Sequence, residues 1–164
     1  MVELRRHRLV GVIGAGQASP QGLASARELG RLLAQGGATI ICGGLGGIMA
    51  AACQGARDAG GETIGLLPGG DAGAANPFVT LAIPTSLGHA RNVLIAQAAE
   101  VLVAVEGEYG TLSEIAIALK LAKPVLSLGS WPQVPGLQPV ANAQEAAARV
   151  LELLAAKEDA CRPT

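Results

Sequence analysis

The chain has 164 residues, a formal net charge of −1, 50% apolar residues and 23 glycines. Its length and apolar content predict one domain, residues 1–164, with a full hydrophobic core. The near-neutral charge argues against a nucleic-acid or membrane surface, and no apolar run approaches the ~20 residues that cross a bilayer. Three cysteines without metal-type spacing and no secretion signal favour a cytoplasmic protein with reduced thiols and no metal site.

Strands and helices are predicted to alternate along the chain. The predicted strands cover residues 8–14, 39–42, 63–67, 78–83, 101–105 and 125–128. The predicted helices run from Pro20 to Gly36, Gly47 to Asp58, Gly88 to Ala98, Thr111 to Leu121 and Asn142 to Ala156. Residues 1–7 and 157–164 are expected to be flexible ends.

This alternation predicts an α/β protein with a Rossmann-like, doubly wound, mostly parallel sheet and helices on both faces. The helix caps support it, since Ser19-Pro20 and Asn142 to Glu145 are typical helix starts. Each loop that follows a strand then lies at the carboxyl edge of the sheet, where such folds bind ligands.

Two glycine loops follow predicted strands. One runs from Gly43 to Met49 as Gly-Gly-Leu-Gly-Gly-Ile-Met, and the other contains Gly107 and Gly110 and opens into a helix at Thr111. A strand, a tight loop and a helix N-terminus make an anion site, because free N–H groups and the helix dipole converge there. Four glycines in five positions cost conformational entropy, which favours close approach of a ligand, with tight helix–sheet packing as the alternative.

Several common cofactor sites do not fit. Gly14-Ala-Gly16 begins a dinucleotide fingerprint, but Ser19 stands in the third glycine position and the second strand lacks its acidic residue. No lysine follows a glycine loop in the manner of an ATP-hydrolysing P-loop. Lys120 and Lys123 are placed at the amino edge of the sheet, far from the loops, which argues against pyridoxal phosphate chemistry.

Arg91 and Glu114 form the candidate polar centre. Arg91 falls in the first turn of a predicted helix, where the dipole disfavours a cation, so a bound anion or a carboxylate partner is expected. Glu114 starts the next crossover helix at the same edge and is a candidate partner. Thr111 and Glu114 also have capping-box spacing, which alone would explain both residues. His89 is predicted to be a cap or surface residue.

Three segments carry a resemblance to a known family: Gly43 to Met49, Gly88 to Asn92, and Gly107 to Glu114. They resemble the Lonely Guy superfamily, a group long labelled as lysine decarboxylases. The similarity extends from about Val10 to Leu128. Within that superfamily, Ile83 to Asn92 and the run from Gly110 are most similar to the short branch of molybdenum-cofactor carrier proteins.

The resemblance implies a Rossmann-like homodimer or homotetramer that binds a phosphorylated small molecule, either a nucleotide or a pterin. The carrier branch implies a molybdopterin cofactor as carried ligand, with no cofactor required. The hydrolase branch implies cleavage of the N-glycosidic bond of a nucleoside 5′-monophosphate. There Glu114 would stabilise the oxocarbenium ion and Arg91 would position the substrate, as the catalytic pair. The candidate ligand-binding residues are Gly14, Gly43, Gly44, Gly46, Gly47, Met49, Asn92, Gly107, Gly110 and Thr111.

The chain departs from the hydrolase motif P-G-G-x-G-T-x-x-E, with its upstream Arg-Lys, at three positions. Glu106 replaces the proline, Glu108 replaces the second glycine, and Asn92 replaces the lysine. Like charges ~4 Å apart repel by about 4 kcal/mol at an effective dielectric near 20, which disfavours a phosphate in this loop. Glu106 and Glu108 are expected to face solvent, with a cationic ligand group or Mg²⁺ as alternatives. Carrier-type binding is therefore favoured over hydrolysis, and an oligomeric protein with a decayed site is the third alternative.

Overall fold

A computed structural model describes residues 8–160. Residues 1–7 and 161–164, which belong to the predicted flexible ends 1–7 and 157–164 and include Cys161, lie outside the described residues. The strands are β1 Leu9–Gly14, β2 Thr39–Cys42, β3 Thr63–Leu67, β4 Leu81–Pro84, β5 Val101–Val105, β6 Val125–Leu128 and β7 Gln138–Pro139. The helices are α1 Pro20–Gln35, α2 Ile48–Asp58, α3 Asn92–Ala98, α4 Tyr109–Lys120 and α5 Ala143–Ala160, with 3₁₀ turns at Ala72–Ala74 and Gly88–Arg91. Within the described part of the chain, no helix combines the length and apolar character needed to cross a membrane.

All seven strands pair in parallel in the order β4-β3-β2-β1-β5-β6-β7. This confirms the predicted doubly wound α/β sheet. The chain winds outward from β1 to β4, then returns to place β5 on the other side of β1. A crevice therefore opens at the carboxyl ends of β1 and β5, the position at which such sheets bind ligands.

The core lies on both faces of the sheet, and β5 divides it. Val101, Val103 and Val105 point into the cluster under α1, α2 and α5. Leu102 and Ala104 point into the cluster under α3 and α4. This alternation follows from the two-residue period of a strand, and burial on both faces explains why β5 reads as a continuous apolar run.

The predicted caps are confirmed at α1 and α5. The Ser19 hydroxyl accepts the Gly22 N–H at 3.0 Å, with Pro20 in the first turn. At α5, Asn142 accepts the Glu145 N–H at 2.9 Å, and the Glu145 carboxylate returns a bond by accepting the Ala141 N–H at 2.7 Å. Both helix starts were readable because capping depends on residues close in sequence.

Several predicted bounds were wrong. The predicted strand at 78–83 is β4 at Leu81–Pro84, because Thr63 and Thr80 exchange side-chain hydrogen bonds where ladder bonds were expected. Strand β7 was missed inside a proline-rich loop, and its edge position tolerates Pro139. The helix predicted at 88–98 begins with a 3₁₀ turn. Helix α5 continues past Ala156, its predicted end, to Ala160.

The amino edge of the sheet carries lysines in structural roles. The Lys123 ammonium donates to the carbonyls of Gln97 and Ala99, just before β5. Lys157 donates to the Glu100 carbonyl at 2.8 Å. Lys123 therefore lies away from the carboxyl-edge crevice, as predicted.

Helices α1 and α2 pack with almost no space between their backbones. A Cβ at Gly55 would lie 1.8 Å from the Arg27 carbonyl oxygen, and one at Gly30 would lie 2.0 Å from the Ala52 carbonyl oxygen. Glycine at these two positions is therefore required by the approach of the helices.

We expect Gly55→Ala to destabilise the protein by about 1–3 kcal/mol or more, because the added methyl group overlaps backbone atoms. Helix propensity alone would stabilise such a variant by up to about 1 kcal/mol, so the two effects differ in sign. Urea denaturation measures the change. Gly110→Ala is the matched helical control, since a Cβ there meets open space. Equal stabilisation of both variants would contradict the close packing.

Candidate functional site

A cavity of about 360 Å³ opens at the carboxyl edge of the sheet, where β1 and β5 end. Its size falls in the range of small-molecule sites. It is lined by Gly14, Ala15, Gly16, Gln17, Met49, His89, Arg91, Asn92, Glu108, Gly110, Thr111 and Glu114. Seven of the predicted site residues thus meet in one space: Gly14, Met49, Arg91, Asn92, Gly110, Thr111 and Glu114.

Helix α4 begins at Tyr109, so the predicted Thr111 cap is wrong. Glu106 and Gly107 both have positive φ, at 51° and 108°, and turn the chain sharply after β5. Glu108 becomes the N-cap residue, and its side chain makes no capping hydrogen bond. Thr111 then lies in the first turn at 3% exposure and Glu114 in the second at 7%. Capping no longer explains these two buried polar residues.

Arg91 ends the 3₁₀ turn before α3 and is 8% exposed. Its guanidinium donates to the Gly43 carbonyl at 3.4 Å and to the Asn92 side-chain oxygen. The nearest Glu114 carboxylate oxygen is 3.7 Å away, which is an ion pair longer than a hydrogen bond. Among the described residues the buried Arg91 Nε has no hydrogen-bond partner. The predicted carboxylate partner is therefore present, yet the guanidinium keeps unused donor capacity.

Burial controls the protonation of this pair. Removal from water raises the pKa of Glu114 to about 7, and the opposing attraction of Arg91 only partly offsets it. Burial also lowers the pKa of Arg91, against the pull of Glu114. The pKa of Glu114 in the folded protein exceeds its ordinary value of 4.5. The stability that protonated Glu114 contributes is therefore fully present below pH 4.5 and is lost as the pH rises through about 7. The site therefore changes charge near neutral pH.

Asn92, 5% exposed, joins α3 to α4. Its amide donates to the Ser113 hydroxyl at 2.9 Å and to the Gly110 carbonyl at 3.3 Å. Its oxygen accepts from Arg91. The residue that replaces the motif lysine thus holds the first turn of α4 and orients Arg91, and it adds no charge.

The two carboxylates that depart from the hydrolase motif lie in different places. Glu106, predicted to face solvent, is half-buried, and its carboxylate accepts hydrogen bonds from the Ser19 N–H at 3.0 Å and from the Ser19 hydroxyl. Glu108 is exposed and lines the cavity. No cluster of metal-ligating side chains occurs among residues 8–160, so the described residues offer no site of that kind for Mg²⁺.

The four glycines of the loop after β2 do not line the cavity, and packing accounts for most of them. A Cβ at Gly43 would lie 2.4 Å from the Arg91 guanidinium. Gly44 and Gly47 have positive φ, at 72° and 62°, and a Cβ at either would clash with neighbouring atoms. A Cβ at Gly46 would meet only a distant carbonyl at 3.9 Å. Ligand contact by this loop stays a prediction.

Packing also explains why position 107 is a glycine. A Cβ there would lie 2.3 Å from the Thr111 hydroxyl oxygen, and its φ favours glycine. Gly107 also does not line the cavity.

Five lining residues were not among the predicted site residues: Ala15, Gly16, Gln17, His89 and Glu108. Ala15, Gly16 and Gln17 follow β1 at the same edge, so their position after the strand was an available signal. His89 lines the cavity from the 3₁₀ turn and is exposed, in agreement with its prediction as a surface residue. Cys42 and Cys53 are buried, with their sulfur atoms 3.6 Å apart.

Comparison with known proteins places these features in a family. A model of the SLOG cluster4 family matches residues 7–159. An uncharacterized protein from Archaeoglobus fulgidus is 42% identical over 137 residues, which are 84% of this chain and 90% of that protein.

Two solved structures have the same fold over nearly their whole length. The molybdenum cofactor binding protein from the phototrophic bacterium Rippkaea orientalis is 33% identical, with a TM-score of 0.86 over 92% of this chain and 99% of that one. The Moco carrier protein from Chlamydomonas reinhardtii is 39% identical, with a TM-score of 0.83 and the same coverage. The predicted resemblance to the carrier branch is confirmed, and the chain belongs to the SLOG cluster4 family.

Proposed function

We propose that this protein binds a phosphorylated pterin of the molybdenum-cofactor type in its cavity and releases it unchanged. One observation carries the proposal: the buried Arg91 side chain, whose Nε has no partner among residues 8–160, lines a cavity that the first turn of α4 also lines. The two solved relatives, named for binding or carrying this cofactor, support the same use of the site here.

The first turn of α4 fits the phosphate end of such a ligand. The Glu108 side chain leaves the helix start uncapped, so the N–H groups of Tyr109, Gly110 and Thr111 remain available with the positive end of the helix dipole. A Cβ at Gly110 would meet nothing within 4 Å, which leaves room for an anion against the backbone. Arg91 adds a cationic side chain that matches phosphate geometry.

The β1 side of the cavity fits the other end of the ligand. Gly14, Gly16 and Gln17 offer backbone groups and one amide side chain, and Met49 offers a polarizable apolar surface. A pterin ring needs both hydrogen bonds at its edge and apolar contact on its face. The metal of the cofactor is cargo in this proposal, so the protein needs no ligand for it.

Nucleotide hydrolysis is the second candidate, and one observation favours it. Glu114 is buried beside Arg91 at 3.7 Å, as the hydrolase mechanism requires of its carboxylate. Against it, Glu108 lines the cavity at the motif position of a glycine, and burial keeps Glu114 partly protonated near pH 7. A protonated carboxyl stabilises an oxocarbenium ion less than a carboxylate does.

The predicted homodimer or homotetramer forms part of the proposal. Three apolar side chains around the start of α3 are well exposed, Leu87 at 50%, Val93 at 45% and Leu94 at 39%. They lie next to the cavity residues His89 and Arg91 in the chain. A second copy covering this surface would enclose the site further.

We expect Arg91→Ala to weaken binding of the molybdenum cofactor about 10- to 100-fold, because a hydrogen bond to a charged group contributes about 1.5–3 kcal/mol. Arg91→Lys should recover part of the loss as a point charge. Anaerobic titration, with retained pterin quantified after gel filtration, gives the affinities. Arg149→Ala removes the same charge from exposed α5 and is the control. Equal effects of the two alanine variants would contradict a direct role for Arg91.

Anion binding should strengthen as pH falls from 8 to 6, because Glu114 with a pKa of about 7 loses its negative charge over this range. Sulfate is a suitable probe, since its charge is constant there. We expect about a five-fold gain in affinity, corresponding to about 1 kcal/mol of repulsion removed. Calorimetry at several pH values should show this gain in wild type and a reduced gain in Glu114→Gln.

The other titratable groups facing the cavity are His89 and Glu108. His89→Gln and Glu108→Gln are therefore measured beside Glu114→Gln, as controls for the other side chains at the cavity. A pH dependence that persists unchanged in Glu114→Gln would contradict the role of Glu114.

We expect no release of free base when the protein is incubated with a panel of nucleoside 5′-monophosphates, because a ligand is carried without bond cleavage. Chromatography of the free base and ribose 5-phosphate is the measurement. Release that is abolished in Glu114→Gln would establish the hydrolase and overturn the carrier proposal. If the protein neither releases free base nor binds the cofactor, the third alternative, an oligomeric protein with a decayed site, would be supported.

A further inference from the structure

The N-terminus of α1 occupies the position at which doubly wound folds hold a pyrophosphate. It follows β1 and the loop Gly14-Ala-Gly16, beside the crevice between β1 and β5. The first turn of α1 contains no acidic residue of its own. An anion is therefore expected at this helix start, either from a ligand or from another part of the chain.

The Glu106 carboxylate is that anion. One oxygen accepts the Ser19 N–H at 3.0 Å, and the other accepts the Ser19 hydroxyl. A Cβ at Gly22 would lie 2.4 Å from a Glu106 carboxylate oxygen, so the missing side chain at Gly22 makes room for it. Two donors at this helix start, the Ser19 N–H and hydroxyl, are thus already satisfied by a residue 87 positions away along the chain.

Glu106 is held in this place against its local preference. Its φ of 51° lies in the left-handed region that side-chain-bearing residues seldom adopt. The Ser130 hydroxyl donates to the Glu106 carbonyl at 2.5 Å and anchors the turn from the other side. Strained residues of this kind persist where their surroundings define them and often mark functional sites.

The start of α1 lies just beyond the lining of the cavity. Gln17 and Glu108 line the cavity, and Ser19 and Glu106, which bond to each other, each lie two residues away from them in the chain. At the α4 end, the buried Arg91 has unused donor capacity and the helix N–H groups are open. At the start of α1, the Glu106 carboxylate occupies the place that the anion of a ligand would take. The cavity therefore has open donors on its α4 side and a carboxylate beyond the loop that joins β1 to α1.

We propose that Glu106 is a specificity-determining residue that restricts the cavity to ligands with one terminal phosphate and excludes pyrophosphate-linked forms. A phosphate monoester reaches Arg91 and α4 without approaching Glu106. A pyrophosphate that extends toward α1 meets a carboxylate in place of donors, and like charges repel it. The pterin part of the ligand rests on the proposed function, whereas the effect of Glu106 on a second phosphate rests on the α1 contacts.

The test compares wild type with Glu106→Gly and Glu106→Gln. Glycine removes the carboxylate and suits the positive φ, so the variant should fold. Glutamine keeps the shape and loses the charge. Glu62→Gln makes the same charge change at an exposed position before β3, at the opposite edge of the sheet.

Two probes are titrated, each by calorimetry. The first is inorganic pyrophosphate, which needs no pterin. The second is a matched pair: the cofactor as its phosphate monoester and the cofactor with that phosphate extended to a nucleoside through a pyrophosphate.

We expect Glu106→Gly to bind inorganic pyrophosphate at least about five-fold more tightly than wild type, and Glu106→Gln to show a smaller gain, because a like charge is removed. With the pterin pair, wild type should prefer the monoester by at least about ten-fold, and Glu106→Gly should reduce that ratio to about three-fold or less. The monoester affinity itself should stay within about two-fold, since Glu106 does not line the cavity.

A purely structural Glu106 would leave the selectivity ratio unchanged and lower only the melting temperature, which would overturn the inference. So would a gain in pyrophosphate affinity of the same size in Glu62→Gln. If wild type binds neither pterin form while Glu106→Gly gains pyrophosphate affinity, the proposed function fails and the inference stands. If wild type binds the monoester, and Glu106→Gly changes neither the preference for the monoester nor the pyrophosphate affinity, the inference fails and the proposed function stands.

Discussion

The arrangement of this site depends on one constraint, the burial of an arginine that lacks a full set of partners. Removing an ion from water costs several kcal/mol unless charges and hydrogen bonds replace the solvent. Arg91 has one carbonyl at 3.4 Å, one amide oxygen and one carboxylate oxygen at 3.7 Å. These contacts are too few and too long to satisfy a guanidinium with five N–H donors. An anion in the cavity would complete them.

The neighbouring elements are arranged around this side chain. Gly43 directly follows β2, and a Cβ there would overlap the guanidinium. Asn92 holds the first turn of α4 and orients Arg91 at the same time. Glu114 is brought within ion-pair distance by the early start of α4. Three crossover connections, from both halves of the sheet, therefore meet at one residue beside the crevice.

The order of strands and helices, and most of the residues that line the cavity, were predictable from the sequence because each depends on local patterns. Ser19 and Pro20 start α1 through contacts within three residues, and loops after parallel strands must share an edge. The start of α4 was not predictable in this way, because it depends on positive φ at Glu106, an unusual conformation for glutamate.

Contacts between residues that are distant in sequence also could not be predicted from local sequence patterns. Glu106 resembled a surface carboxylate in sequence, and its Ser19 partner lies 87 residues away. Likewise, the glycines from Gly43 to Gly47 suggested ligand contact, whereas Gly43 makes room for a side chain that is 48 residues distant. A pattern can show that a position is constrained, and only the fold shows which neighbour constrains it.

The mixed charge of the cavity is consistent with a carrier more than with a tight store. Arg91 and the start of α4 attract a phosphate, while Glu108 at the cavity wall and Glu114 beside Arg91 oppose it when ionised. A carrier must bind its ligand well enough to protect it and weakly enough to transfer it, so opposing charges of this kind set an intermediate affinity. Because burial places the pKa of Glu114 at about 7, a small change in local pH or the approach of a basic partner surface would shift that balance. The carboxylates that depart from the hydrolase motif thus acquire a physical reason in the proposed carrier function: Glu106 limits which ligand enters, and Glu108 limits how tightly its phosphate is held.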